Sequence, residues 1–105
     1  MLLKFSLRQA LVALTLMTPA LAASPEQRGR AYALKHCGGC HSIDLKSPSR
    51  LKAAPPLRTL HLRYPIETLA ESLAEGISTG HRSMPDAELS PARIHDLLSF
   101  LKTLE

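Results

Sequence analysis

The chain has 105 residues, of which 45% are hydrophobic but only 4% aromatic, with no Trp and two Cys. That is the size of one domain, and it excludes a disulfide-dense scaffold. A formal charge of +4 and an isoelectric point near 9.4 would favour nucleic acid as a partner only if the basic residues belong to the folded protein. The opening segment accounts for part of them. Lys4 and Arg8 form a positive segment ahead of an apolar run from Ala10 to Met17, Thr18-Pro19 breaks the run, and Ala20-Leu21-Ala22 is a small-x-small cleavage site. Residues 1–23 therefore read as a secretory signal peptide cut after Ala22 or Ala23, leaving 82 or 83 residues exported to the periplasm. The stretch Leu11 to Ala23 spans 13 residues and contains a proline. A spanning helix needs about 20 apolar residues, so no stable membrane anchor is expected. Loss of Lys4 and Arg8 lowers the net charge to +2. Loss of Phe5 leaves Tyr32, Tyr64 and Phe100 as the aromatics of a chain so short that it needs a staple, metal or cofactor to complete its core.

The first helix signal is Ser24 as N-cap, Pro25 at the first helical position and Glu26 in the first turn. No β-branched residue occurs from Pro25 to His41, so the helix is predicted to run into the segment that ends there, with Ala31, Tyr32, Ala33 and Leu34 as its apolar face. That segment is Cys37-Gly38-Gly39-Cys40-His41, which holds both cysteines in the C-x-x-C-H pattern of covalent c-type haem attachment. Thiols at this spacing reach the two vinyl groups on one porphyrin edge, and the adjacent His41 is then the proximal iron ligand. Gly38 and Gly39 let the backbone pass close to the macrocycle. A dithiol redox site would follow a strand, and none is signalled before Cys37. A zinc site needs further ligands at matched spacing, whereas His36, His61, His81 and His95 are scattered singly. A disulfide across so short a loop would stabilise little.

Ser42 to Pro56 is polar, contains Pro48, Pro55 and Pro56, has no clean period and reads as a loop. Pro65 opens a second predicted helix in which Ile66, Leu69, Ala70 and Leu73 recur at helical spacing opposite Glu67, Glu71 and Glu75, and Gly76 ends it. Ser78 to Ala87 is a second loop, containing Met84-Pro85. Ser90-Pro91 starts a last helix with Ile94, Leu97, Leu98, Leu101 and Leu104 on one face. With no strand pattern, repeat or low-complexity tract, residues 24–105 are expected to form a single all-α domain of three main helices, with loops wrapped around one covalently bound haem.

A second axial ligand has to come from a distant segment. Met84 is the expected one, the sole methionine once Met1 and Met17 are removed, in a polar loop stiffened by Pro85. His81 as a bis-histidine partner and an open sixth position are the alternatives. Thioether ligation raises the potential, a second imidazole lowers it, and an open site binds small molecules.

With these residues placed, the chain from residue 24 onward resembles a class I c-type cytochrome, the small monohaem cytochrome c family. Gly29 lies eight residues before Cys37, where the family has a small residue at the crossing of its N- and C-terminal helices; Leu97, Phe100 and Leu101 resemble the positions that pack on that crossing. Ala54-Pro55-Pro56-Leu57 is similar to the family's P-x-L element. The resemblance implies that the Pro55 carbonyl accepts the His41 Nδ1 hydrogen bond and that Leu57 packs on the haem. Ile77-x-x-Gly80-x-x-x-Met84-Pro85 resembles the distal-ligand segment. Ala33 departs from the pattern by standing where mitochondrial-type members have an aromatic. Arg63 and Tyr64 resemble haem-propionate partners in position only.

The expected function is single-electron transfer between redox partners by a periplasmic protein that is not an enzyme. A dedicated cytochrome subunit of a periplasmic dehydrogenase or oxidase, or a haem-based small-molecule sensor, are the rival readings. Residues 24–63 carry eight basic and two acidic side chains, residues 64–105 three and seven. The charge is a dipole rather than a surplus, which suits an acidic docking face on a protein partner better than nucleic acid.

Overall fold

The computed structural model describes residues 22–76, Met84 and residues 88–105. The apolar run of the expected signal peptide lies outside the described residues, as do His81, Pro85 and most of the second loop. The described residues form helices and no strands: α1 (Pro25–His36), α2 (Leu69–Glu75) and α3 (Pro91–Lys102), with short 3-10 helices at Leu57–Leu62 and Ile66–Thr68. This is the all-α architecture with three main helices.

Local chemistry sets the helix starts. Ahead of Pro25, Gln27 N–H donates to Ser24 Oγ at 3.1 Å and Ser24 N–H donates to Gln27 Oε1 at 2.9 Å, a reciprocal capping box. At α3, Arg93 N–H donates to Ser90 Oγ at 3.3 Å, with Pro91 next in the chain. The helix expected from Pro65 begins as a tighter turn, because Thr68 donates both its N–H and its hydroxyl to the Pro65 carbonyl; regular α geometry starts only at Leu69. Gly76, at φ 95°, ends α2 in a conformation that only glycine adopts without strain.

The first helix runs up to the C-x-x-C-H segment as expected: it ends at His36, Cys37 is its C-cap, and the paired glycines that follow disfavour further helix. Its buried face, however, is not Ala31 to Leu34. Four consecutive residues span most of the helix circumference at about 100° each. Only the side facing α3 is covered, so Gly29 and Ala33 are buried while Ala31 is exposed and Leu34 is 55% exposed.

α1 packs on α3, and α2 packs on α3 beside it. The shared core gathers Ala33 from α1, Leu57 and Leu60 from the longer 3-10 helix, Ile66 and Leu73 from the α2 region, and Ile94, Leu97, Phe100 and Leu101 from α3. Tyr32 sits at the edge of the crossing, stacked on the His36 ring with centroids 4.4 Å apart and with the Arg93 guanidinium 5.0 Å from its centroid, a cation–π contact between α1 and α3.

The crossing is also pinned by charge. Arg28 on α1 donates from Nε to Asp96 Oδ2 at 3.0 Å and from Nη2 to Asp96 Oδ1 at 3.1 Å. The hydrogen bond from Arg28 holds the Asp96 carboxyl below its ordinary value of 3.8. A carboxyl whose pKa is depressed by folding contributes stability that is present above its unfolded value and lost as pH falls through the folded one. Acidification below pH 3.8 should therefore weaken the crossing, and Asp96→Asn should remove that part of the acid dependence. The effect is small because the Arg28 side chain is 46% exposed. Denaturant unfolding of both proteins at neutral pH and at about pH 3 checks it; identical pH profiles would refute it.

Candidate functional site

The C-x-x-C-H segment leaves α1 as a closed turn. Cys37 and Gly38 both donate their N–H to the Ala33 carbonyl at 2.8 Å, and the Cys37 carbonyl in turn accepts from Cys40 N–H at 3.2 Å and His41 N–H at 2.9 Å. Gly38 is demanded by the protein itself, since a Cβ there would lie 2.6 Å from the Leu34 carbonyl oxygen. At Gly39 a Cβ would meet nothing within 4 Å, so protein packing does not require that glycine.

Three contacts join this turn to the segment Leu51 to Leu57. Leu51 N–H donates to the Cys40 carbonyl at 3.1 Å, Leu57 N–H donates to the Ser42 carbonyl at 2.9 Å, and between them His41 Nδ1 lies 2.7 Å from the Pro55 carbonyl oxygen. A carbonyl carries no proton, so Nδ1–H is the donor and the Nε2 lone pair is left for a ligand. Leu57 and Ala54 are each 7% exposed beside this contact.

Cys37 and Cys40 are free thiols, both half-buried. Burial pushes the Cys37 thiol up from its ordinary value. Its place at the C-terminal end of α1, where the helix dipole opposes negative charge, acts in the same sense. A dithiol redox centre needs the opposite, a thiolate stabilised at a helix N-terminus. Among the described residues no group of three or more His, Cys, Asp or Glu could hold a metal ion, so a zinc site finds no partners there.

The other candidates are dispersed. His36 and His95 are exposed and His61 is half-buried. Met84 is half-buried, while the neighbours that would orient it lie outside the described residues. Arg63 and Tyr64 are exposed, and Arg63 borders a cleft of about 440 Å³ lined also by Lys52, Pro55, Thr59 and Leu62.

Sequence reading missed the network behind His41. Arg58, in the 3-10 helix, donates from Nη1 to the Ser47 carbonyl at 2.8 Å and to Ser42 Oγ and the Asp44 carbonyl at 3.3 Å. Asp44 receives Lys46 N–H at 2.8 Å and, at 2.6 Å, both the N–H and the hydroxyl of Ser47, which lowers its carboxyl to about 2. The Asp-x-x-Ser spacing could have signalled that turn. Nothing local signals the reach of Arg58 across 11 to 16 positions.

Two cysteines on one closed turn with His41, whose imidazole is held in a single tautomer, fit a haem tethered by thioethers and ligated at nitrogen. Fold and site together thus define a c-type haem protein. The cytochrome c family model matches residues 26–105, and the chain belongs to that family. No curated protein matches the chain, and no solved structure does. The cofactor is haem c, covalently attached, with Cys37 and Cys40 at the spacing of its attachment motif, and the family's activity is haem-based electron transfer.

Proposed function

We propose that residues 1–23 are a cleaved signal peptide and that residues 24–105 form one periplasmic monohaem domain carrying single electrons between protein partners. The observation that carries this reading is the 2.7 Å contact of His41 Nδ1 with the Pro55 carbonyl directly beside the two free thiols. In it, Cys37 and Cys40 would tether the haem through thioethers, His41 Nε2 and the Met84 sulfur would ligate its iron, Pro55 would orient the imidazole and Leu57 would supply apolar cover. When bound, the haem supplies a reversible ferrous/ferric couple. The chain's own work is to hold Nδ1–H on the carbonyl, exclude water with Leu57 and the core behind it, and donate through Nε2 and sulfur. No substrate bond is made or broken. No helix among the described residues is long and apolar enough to cross a membrane.

An optical spectrum of the protein produced in a host with haem-attachment machinery tests the assignment. Covalent haem with a low-spin ferrous spectrum that carbon monoxide does not alter is expected; a native reduced protein that binds carbon monoxide would favour a sensor instead.

The proposed partner presents an acidic face. Lys46, Arg50, Lys52 and Arg63 are exposed, whereas the Asp44 carboxylate of the same region is occupied by Lys46 and Ser47 within its own turn. Association rates with an acidic redox protein should fall steeply as ionic strength rises past about 0.1 M, where the screening length is about 10 Å. Stopped-flow mixing over a salt series reads this directly, and a salt-indifferent rate would refute it.

A further inference from the structure

The residue after His41 is held from several directions at once. Ser42 is 6% exposed, and its amide, carbonyl and hydroxyl oxygen each have a partner. Its N–H donates to Ser49 Oγ at 3.0 Å, its carbonyl accepts from Leu57 N–H at 2.9 Å, and its Oγ accepts from Arg58 Nη1 at 3.3 Å. Arg58 Nη1 has two hydrogens for three oxygens, so its shortest bond, to the Ser47 carbonyl, is the main one and another is shared. Because Asp44 closes the turn beneath Ser47, the guanidinium grips a loop that is already folded on itself rather than a slack chain.

Leu57 and Arg58 open the same short helix that Pro55 and Pro56 lead into. One element and the prolines that lead into it therefore hold His41 and the residues just after it through three groups. The Pro55 carbonyl accepts from the imidazole Nδ1–H, Leu57 N–H donates to the Ser42 carbonyl, and Arg58 donates to the Ser42 hydroxyl and to the Asp44 and Ser47 carbonyls beyond it. A hydrogen bond as short as 2.7 Å depends on both ends staying in place, and Ser42 with Arg58 supplies the second anchor.

We infer that Arg58 and Ser42 are positioning residues for His41, keeping Nδ1–H on the Pro55 carbonyl and thereby setting how strongly the imidazole donates through Nε2. The inference rests on His41 being an axial ligand. A ligating histidine whose Nδ1–H bond is strong is the more basic ligand and favours ferric iron. Releasing the loop should loosen that bond, make the imidazole a poorer donor and raise the midpoint potential.

The experiment uses the haem-loaded protein and two readouts, exchange of the His41 Nδ1–H with solvent by NMR and the midpoint potential by redox titration. Arg58→Gln should speed exchange roughly tenfold, the equilibrium equivalent of about one lost hydrogen bond, and raise the potential. Arg58→Lys should recover part of both, since an ammonium can still reach one carbonyl. Ser49→Ala, which removes the partner of Ser42 N–H and leaves the guanidinium untouched, should move both readouts in the same direction by less, and it serves as the test if Arg58→Gln does not fold. Wild-type exchange and potential in the folded variants would overturn the inference. The wild-type spectrum separates the two levels: absence of a low-spin imidazole-ligated haem sinks the functional reading, whereas its presence with unaltered variants sinks only the role of Arg58 and Ser42.

Discussion

Gly29→Ala should destabilise the haem-loaded protein by about 3 kcal/mol, at the upper end of what overpacking costs, and lower its melting temperature by roughly 15 °C for a domain of this size. Helix propensity alone argues the other way, since alanine in a helix interior is favoured over glycine by about 0.5–1 kcal/mol. Geometry decides. A Cβ at Gly29 would lie 1.9 Å from the Asp96 carbonyl oxygen and 2.8 Å from the Phe100 Cβ. The first of these contacts is backbone, so no rotamer change relieves it; α3 itself has to move away from α1. That movement would also stretch the Arg28 pair with Asp96 and open the contacts of Leu97 and Leu101, which are 5% and 4% exposed. Thermal unfolding followed by far-UV circular dichroism checks the prediction, and a variant as stable as the parent would show that the helices do not cross this closely.

On the proposed ligation by Met84, Met84→Ala should convert the haem completely from low spin to high spin, because alanine offers no donor and the sixth position is left to water or to an added ligand. The reduced variant should then bind carbon monoxide, and its potential should fall, because a thioether ligand favours ferrous iron and alanine supplies none. An absorption spectrum with and without carbon monoxide reads the first two changes. An unchanged low-spin spectrum would transfer the ligand assignment to another residue, with His81 the nearest candidate in the chain.

Much of this protein is legible because its strongest signals are short-range. Serine followed by proline marks the starts of α1 and α3, since capping acts over three residues and proline fixes its own φ. Gly76 marks the end of α2 because a positive φ selects glycine locally. The apolar spacing of Ile94, Leu97 and Leu101 reports the buried side of α3. The C-x-x-C-H pattern is likewise local, since one porphyrin edge spans five consecutive residues. Where several signals lay close together the reading faltered: the apolar run Ala31 to Leu34 wraps around α1, and only its distance to α3 selects Ala33 over Leu34.

Chain order and composition thus determined the class of fold, the haem-attachment motif and the positions of the three helices. Tertiary structure alone decided that Arg28 would meet Asp96 across 68 positions, that Leu57–Leu62 would become a 3-10 helix, and that Arg58 would gather Ser42, Asp44 and Ser47 behind His41. Helix caps and covalent motifs are written in residues within one turn of each other. A guanidinium's choice of partner depends on which oxygens the folded chain brings within about 3 Å of it, and no local pattern records that.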